Sequence, residues 1–191
     1  MKKLLILAAA LALPMGAQAV SMSGMCAKEI GGDAAKVCGN PVATESEGML
    51  YALYKAAIEK VQGDSSKALQ DDQQAWWEKT KGCAKQEAMS ECLHNAYATR
   101  ALELQDKYKI VKTVGPANYS CADGSKISAT FLNMTPATMI AERGGQHLVL
   151  RGQKAASGTL YSSRETQFRE HQGKVTVKWS PNGKEISCKK G

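Results

Sequence analysis

Six cysteines, at 26, 38, 83, 92, 121 and 188, constrain this chain more than any other feature, because of where the chain is sent. Lys2 and Lys3 form a short basic start and Leu4 to Leu13 is an apolar run. Pro14 and Gly16 break that run, and Ala17-Gln18-Ala19 supplies the small-x-small pattern that signal peptidase accepts. Residues 1–19 therefore read as a secretory signal peptide, too short to be retained as a membrane span. Cys26 lies too far from the apolar run, and Met25 is too bulky before it, for a lipoprotein signal. The expectation is a periplasmic protein, soluble rather than lipid-anchored, whose mature chain begins at Val20. No second apolar stretch is long enough for a transmembrane segment.

In an exported chain an even cysteine count reads as disulfides rather than thiols. Six cysteines allow fifteen pairings. The layout favours neighbours: Cys26 with Cys38, Cys83 with Cys92, and Cys121 with Cys188. Each bridge would add about 2–4 kcal/mol. The pairing among the first four is left open by the sequence alone.

Charge and composition divide the chain at one place. Residues 20–109 carry eleven Lys/Arg against thirteen Asp/Glu, a net −2, and are rich in Ala, Glu, Lys and Gln. Residues 110–191 carry twelve against five, a net +7, and are rich in Gly, Ser, Thr and Val. This predicts an α+β protein of two domains: helical over 20–109, a linker over 110–117 punctuated by Gly115-Pro116, and β over 118–191.

Helical spacing places Met49, Leu50, Leu53, Tyr54, Ala57, Ile58 and Val61 on one stripe of a helix from Glu45 to Val61. Gly63-Asp64 ends it, and Ser65 or Ser66 is suited to cap a second helix that runs to Lys81 with Leu69, Gln73, Trp76 and Thr80 on its face. Gly82 stops it. A third helix starts near Ala88 and carries Leu93, Tyr97, Ala101, Leu104 and Tyr108. Trp76-Trp77 reads as one core anchor and one surface residue, not a ligand platform. In the second half, Asp123-Gly124, Gly144-Gly145 and Asn182-Gly183 signal turns between alternating runs at 126–131, 139–142, 147–150 and 174–179. Alternation predicts one buried and one wet face, and a closed or nearly closed barrel removes unpaired edges.

No catalytic residue is predicted. Cys83, Cys92 and His94 fit no zinc spacing, so no metal is expected. There is no Gly-x-Ser-x-Gly, no phosphate-cradling glycine loop and no cofactor motif. The Lys and Arg of the second half are dispersed and aromatics are few, so nucleic acid is not expected as a partner.

One stretch asks for a special reason. AASGTLYSS, at 155–163, is uncharged and small before a leucine and a tyrosine, inside a basic strand-rich segment. Tyr119-x-Cys121-Ala-Asp-Gly124, the loop at 155–161, Phe168 and the final Cys188 together resemble the MliC/PliC family of envelope inhibitors of C-type lysozyme, over about residues 117–189. Cys26-Ala-Lys, Cys38, Gln73-x-x-Trp76, Cys83, Cys92-Leu93, Ala96-Tyr97 and Arg100 resemble the LprI-type domain, over about residues 22–108, a family also linked to lysozyme inhibition.

The first resemblance implies an antiparallel β-barrel of about eight strands closed by Cys121–Cys188, with C-type lysozyme as partner. It implies that Ser157 on the inhibitor loop meets the catalytic carboxyls, with Gly158 giving the backbone room and Tyr161 bracing the return strand. A hydroxyl both donates and accepts, so it suits an ionised and a protonated carboxyl alike. Where the family places a second-contact lysine, this chain has His171; Arg169 stands where tryptophan is usual, and the glycine falls one late, at Gly173. A protonated His171 would pair with a cleft carboxylate, so inhibition is expected to strengthen as pH falls through about 6.5, histidine's reference value. The expected mode is loop insertion by a non-enzyme. The alternative is a non-catalytic envelope module that binds an anionic glycan or lipid through the basic barrel face. C-type lysozymes are generally basic, so the +7 half gains no long-range steering toward them and must rely on local fit.

Overall fold

The computed structural model describes residues 24–27, 31–164, 166–180 and 182–191. The signal peptide expected at 1–19 lies outside the described residues. Helices come first and strands second: α1 (Gly32–Gly39), α2 (Pro41–Lys60), α3 (Asp64–Lys81) and α4 (Met89–Tyr108), then β1 (Thr113–Cys121), β2 (Lys126–Leu132), β3 (Thr138–Arg143), β4 (Gln146–Gln153), β5 (Thr159–Ser162), β6 (Gln167–His171), β7 (Lys174–Lys178) and β8 (Glu185–Lys190).

Among the described residues the helical half holds four α-helices where spacing predicted three. α1 is short and glycine-flanked, with only Ala34, Val37 and Cys38 buried, so it shows little periodicity. Cys26–Cys38 fastens it to the turn at Gly24–Ala27, and Cys83–Cys92 closes the turn between α3 and α4. α2 begins at Pro41, four residues before the predicted start. Asn40 caps it by accepting from the Val42 N–H, and proline at the first position loses no helical bond. α3 starts at Asp64 after Gly63, whose φ is +55°, so Ser65 and Ser66 lie inside the helix and cap nothing. Its buried line is Leu69, Gln73, Trp77 and Thr80. Trp77, not Trp76, is the core anchor, because the step from Gln73 is four residues. Trp76 is half-buried, edge-on to Tyr97 at 5.3 Å.

The strands form a closed barrel in sequence order, each antiparallel to the next, with β8 returning to β1. Cys121 and Cys188 face each other in that closing pair and are bridged. Closure leaves no strand edge unpaired. Inside lie Ile127, Ala129, Met139, Ala141, Leu148, Leu150, Phe168, Val175 and Val177.

The expected wet outer face fails over β2–β4. Thr138 to Ala141 are buried without a break. Leu132, Ile140 and Val149 belong to the same apolar cluster as Leu93, Tyr97, Ala101 and Leu104 of the helices. The helical half therefore covers this side of the barrel, and burial of each such aliphatic side chain contributes about 1.5–3 kcal/mol. Polar ties fix the joint. Gln105 Oε1 accepts from the Ile110 and Val111 N–H groups at 3.1 and 2.9 Å, and its Nε2 donates to the Val111 carbonyl at 2.8 Å. Lys60 Nζ donates to the Tyr108 and Lys109 carbonyls. The His147 N–H donates to Asn95 Oδ1 at 2.7 Å.

One carboxylate organises the helical core. Glu47 is 6 % exposed; its Oε1 accepts from the Met25 and Cys26 N–H groups and its Oε2 from the Tyr97 hydroxyl at 2.6 Å. Burial raises its pKa, against those hydrogen bonds, which lower it. Burial likewise raises the Tyr97 pKa, with the neighbouring Glu47 charge adding to it.

Candidate functional site

Strand pairing builds the site at one end of the barrel. β4 and β5 pair only over Arg151↔Ser162, Gly152↔Tyr161 and Gln153↔Leu160, so residues 154–158 form the loop beyond them. β5 and β6 pair from Thr159↔Glu170 onward, and β6 and β7 to His171↔Lys174. The β6–β7 connection is the two residues Gln172 and Gly173, with φ of +51° and +75°. Positive φ at both central positions is what a tight hairpin requires to match strand twist. The first residue of β1, Thr113, pairs with Leu132, the last of β2, so the chain enters the barrel at this same end.

The two hairpins touch. Gly158 has φ +71°, and a Cβ placed on it would stand 2.0 Å from the Glu170 carbonyl oxygen and 3.0 Å from His171 Cα. No side chain fits there, and an L residue would be strained in that conformation. The loop end is thus pressed onto the β6 backbone just before the turn. Ser157 and Gly158 are exposed, and so are His171, Gln172, Gly173 and Lys174. The structure brings the Ser157 loop and His171, fourteen residues apart in sequence, side by side on one solvent-facing end.

Below the loop lies its root. Tyr161 is half-buried opposite Gly152 and Phe168, with its ring 5.5 Å from Phe131. Burial raises its hydroxyl pKa, so the phenol stays protonated at neutral pH. Phe168 packs edge-on against Tyr119 at 5.2 Å, which carries the contact into the barrel core. The return strand is therefore anchored while the tip faces solvent. Three further contributors were not expected from the sequence. Gly152 approaches Ala137, where an added Cβ would meet backbone oxygen at 3.2 Å. Glu170 Oε1 accepts from the Gly173 N–H at 2.9 Å and holds the β6–β7 turn. Gln172 takes a left-handed conformation with no glycine to announce it.

The exposed groups at the tip are a hydroxyl, backbone amides and an imidazole, with Lys154 and Lys174 close by in sequence. Among the described residues no group of His, Cys, Asp and Glu could hold a metal ion, and no helix is long and apolar enough to cross a membrane.

Known proteins share parts of this chain. Residues 119–185 match the family model described as membrane-bound lysozyme-inhibitor of c-type lysozyme. The lipoproteins LprI of Mycobacterium tuberculosis and Mycobacterium bovis are each 24 % identical over 143 residues, which cover 74 % of this chain and 71 % of theirs. Among solved structures, the crystal structure of Pseudomonas aeruginosa MliC in complex with hen egg white lysozyme is 21 % identical, spanning 42 % of this chain and 86 % of that one with a TM-score of 0.34. This chain is thus a homologue of the LprI lipoproteins, and the domain over residues 119–185 of its barrel belongs to the MliC family.

Proposed function

We propose that this protein is a non-enzymatic inhibitor of C-type lysozyme that acts in the cell envelope, inserting the Ser157 loop into the enzyme's active-site cleft. The observation that carries the reading is the pairing of a small, exposed, hydroxyl-bearing tip with a rigid base, inside a domain of this family. A glycosidase cleft presents two carboxyl groups spaced for a sugar. Ser157 can donate to the ionised one and accept from the protonated one. Gly158 keeps the tip seated on β6, and Tyr161 fixes the root. A pre-ordered loop gives up little entropy on binding. The chain is read as a signal peptide over 1–19, a helical unit over 20–109 and the inhibitory barrel unit, whose first strand already begins at Thr113, inside the stretch 110–117 expected as a linker.

Ser157→Tyr in the mature chain should weaken lysozyme inhibition at least tenfold in a cell-wall turbidity assay, with the thermal transition unmoved. Equal inhibition by the variant would rule out insertion of this loop. His171, beside the loop, supplies a second contact when protonated. Inhibition should strengthen on acidification from neutral pH, and that gain should vanish in His171→Ala; an equal gain in both proteins removes His171 from the interface.

The +7 half supports a second reading, an envelope module for an anionic glycan or lipid. That reading requires binding of a polyanion such as heparin that falls steeply with salt and ignores Ser157→Tyr.

A further inference from the structure

The helical half contains a cleft that the inhibitor reading does not use. It lies between α2 and α3, has a volume of about 210 Å³, and is lined by Tyr51 and Tyr54 from one helix and Gln70, Gln73 and Gln74 from the other, with Glu47 also in its wall. The spacing explains the lining. Tyr51 and Tyr54 are three apart, and Gln70, Gln73 and Gln74 are three and four apart, so each set shares one helix face.

We propose that this cleft binds a single neutral sugar ring or a polyol of that size. Charge, polarity and volume all favour such an occupant. Among the described residues Glu47 is the one ionisable carboxyl in the lining, and both its oxygens are already taken by Met25, Cys26 and Tyr97. Arg100, next to Gln73, is engaged by Asp72 at 2.8 Å and Glu103 at 3.3 Å. A charged ligand would lose water and gain no free counter-charge, which is costly. The rest of the lining is carboxamide and aromatic, with Gly24, Met25 and Leu50 adding a small apolar part. An amide side chain carries donors and an acceptor together, the pattern that matches adjacent hydroxyls. Tyrosine rings supply apolar faces for the C–H side of a ring. The volume is below that of pockets that take drug-sized ligands, which starts at about 300 Å³.

Gln73 adds an oriented donor to this lining. Gln73 is only 5 % exposed. Its Oε1 accepts from Arg100 Nε at 3.0 Å, which fixes the amide so that Nε2 is the free end. That NH2 has no hydrogen-bond partner among the described residues, although the side chain lines the cleft. Nε2 is not one of the buried polar atoms left without a partner, so it still meets solvent, and a ligand hydroxyl or carbonyl in the cleft would accept from it.

The test is ligand-observed saturation-transfer NMR on the mature chain with glucose and with N-acetylglucosamine at millimolar concentration. Transfer to at least one sugar is expected, with affinity reduced about tenfold or more in Gln73→Leu and in Tyr51→Ala. Gln73 also holds Arg100, so Gln73→Leu is informative only if its thermal transition is retained; Tyr51, 38 % exposed on the rim, provides the variant that leaves the core intact. Lysozyme inhibition should be unaffected by Tyr51→Ala. No transfer to either sugar, or transfer undiminished in Tyr51→Ala, overturns the proposal and leaves the lysozyme reading untouched.

Discussion

Gly158→Ala is expected to weaken lysozyme inhibition by about ten- to a hundredfold. The added carbon would overlap the Glu170 carbonyl oxygen at 2.0 Å, and backbone on both sides leaves no flexible side chain to swing away. The φ of +71° adds strain for an L residue, and the combined cost is about 1–3 kcal/mol. It is relieved only if the tip lifts from β6 or the Thr159↔Glu170 pairing frays. Either response moves Ser157 relative to Tyr161, and a displacement of about 1 Å is enough to misalign a hydrogen-bonding tip. Gly124→Ala is the matched control. Its φ is +81°, but nothing lies within 4 Å of an added Cβ, so it should cost stability without touching inhibition. Inhibition constants and melting temperatures for the two variants separate the cases. Wild-type inhibition by Gly158→Ala would mean that the tip's seat on β6 is irrelevant to binding.

Acid should loosen this protein through His94, by up to about 3 kcal/mol, since each pH unit between the unfolded and native pKa values is worth about 1.36 kcal/mol. His94 lies on α4, 6 % exposed, with no hydrogen-bond partner for Nδ1 among the described residues. Burial lowers its pKa from 6.5 to about 4. Glu87 and Glu91 line the neighbouring cleft with Gln146 and Trp179, and desolvation still prevails. Between pH 6.5 and 4 the unfolded chain takes up a proton that the native chain refuses. Stability therefore falls as pH drops through that window and levels off below it. Glu47 acts in the opposite sense. Its raised pKa means the native carboxyl holds a proton that the unfolded chain has already lost, so its contribution is present at low pH and is lost as pH rises through the raised value. The two partly offset each other in wild type. Urea unfolding at pH 7 and pH 4.5, on wild type and His94→Leu, isolates the histidine's share. The variant should lose markedly less stability on acidification; parallel losses would show that His94 does not set the acid response.

Local pattern revealed much of this architecture. α2, α3 and α4 follow from apolar spacing, and β2, β3, β4 and β7 from alternation between glycine turns. Misses trace to interactions that spacing does not encode. α1 has three buried residues and is held by a cystine. The α2 start depends on the Asn40 cap and Pro41. Trp76 and Trp77 differ by one residue, about 100° of helix, and only packing decides which is inside. β5 is four residues long with no fully buried member, so it exists by pairing rather than by propensity. At the candidate site, Ser157, Gly158, Tyr161 and His171 were legible as residues. Their adjacency was not, because it depends on the β5–β6 register, and nothing in either strand's sequence states which residue opposes Gly158.

On a barrel that stood alone, Leu132, Ile140 and Val149 would be greasy patches on the outside of β2–β4; here they are roofed by α4. The two halves are not exchangeable parts. Any helical partner grafted onto this barrel would have to reproduce the roof, and any bare barrel of this kind that circulates alone must have repainted those three positions.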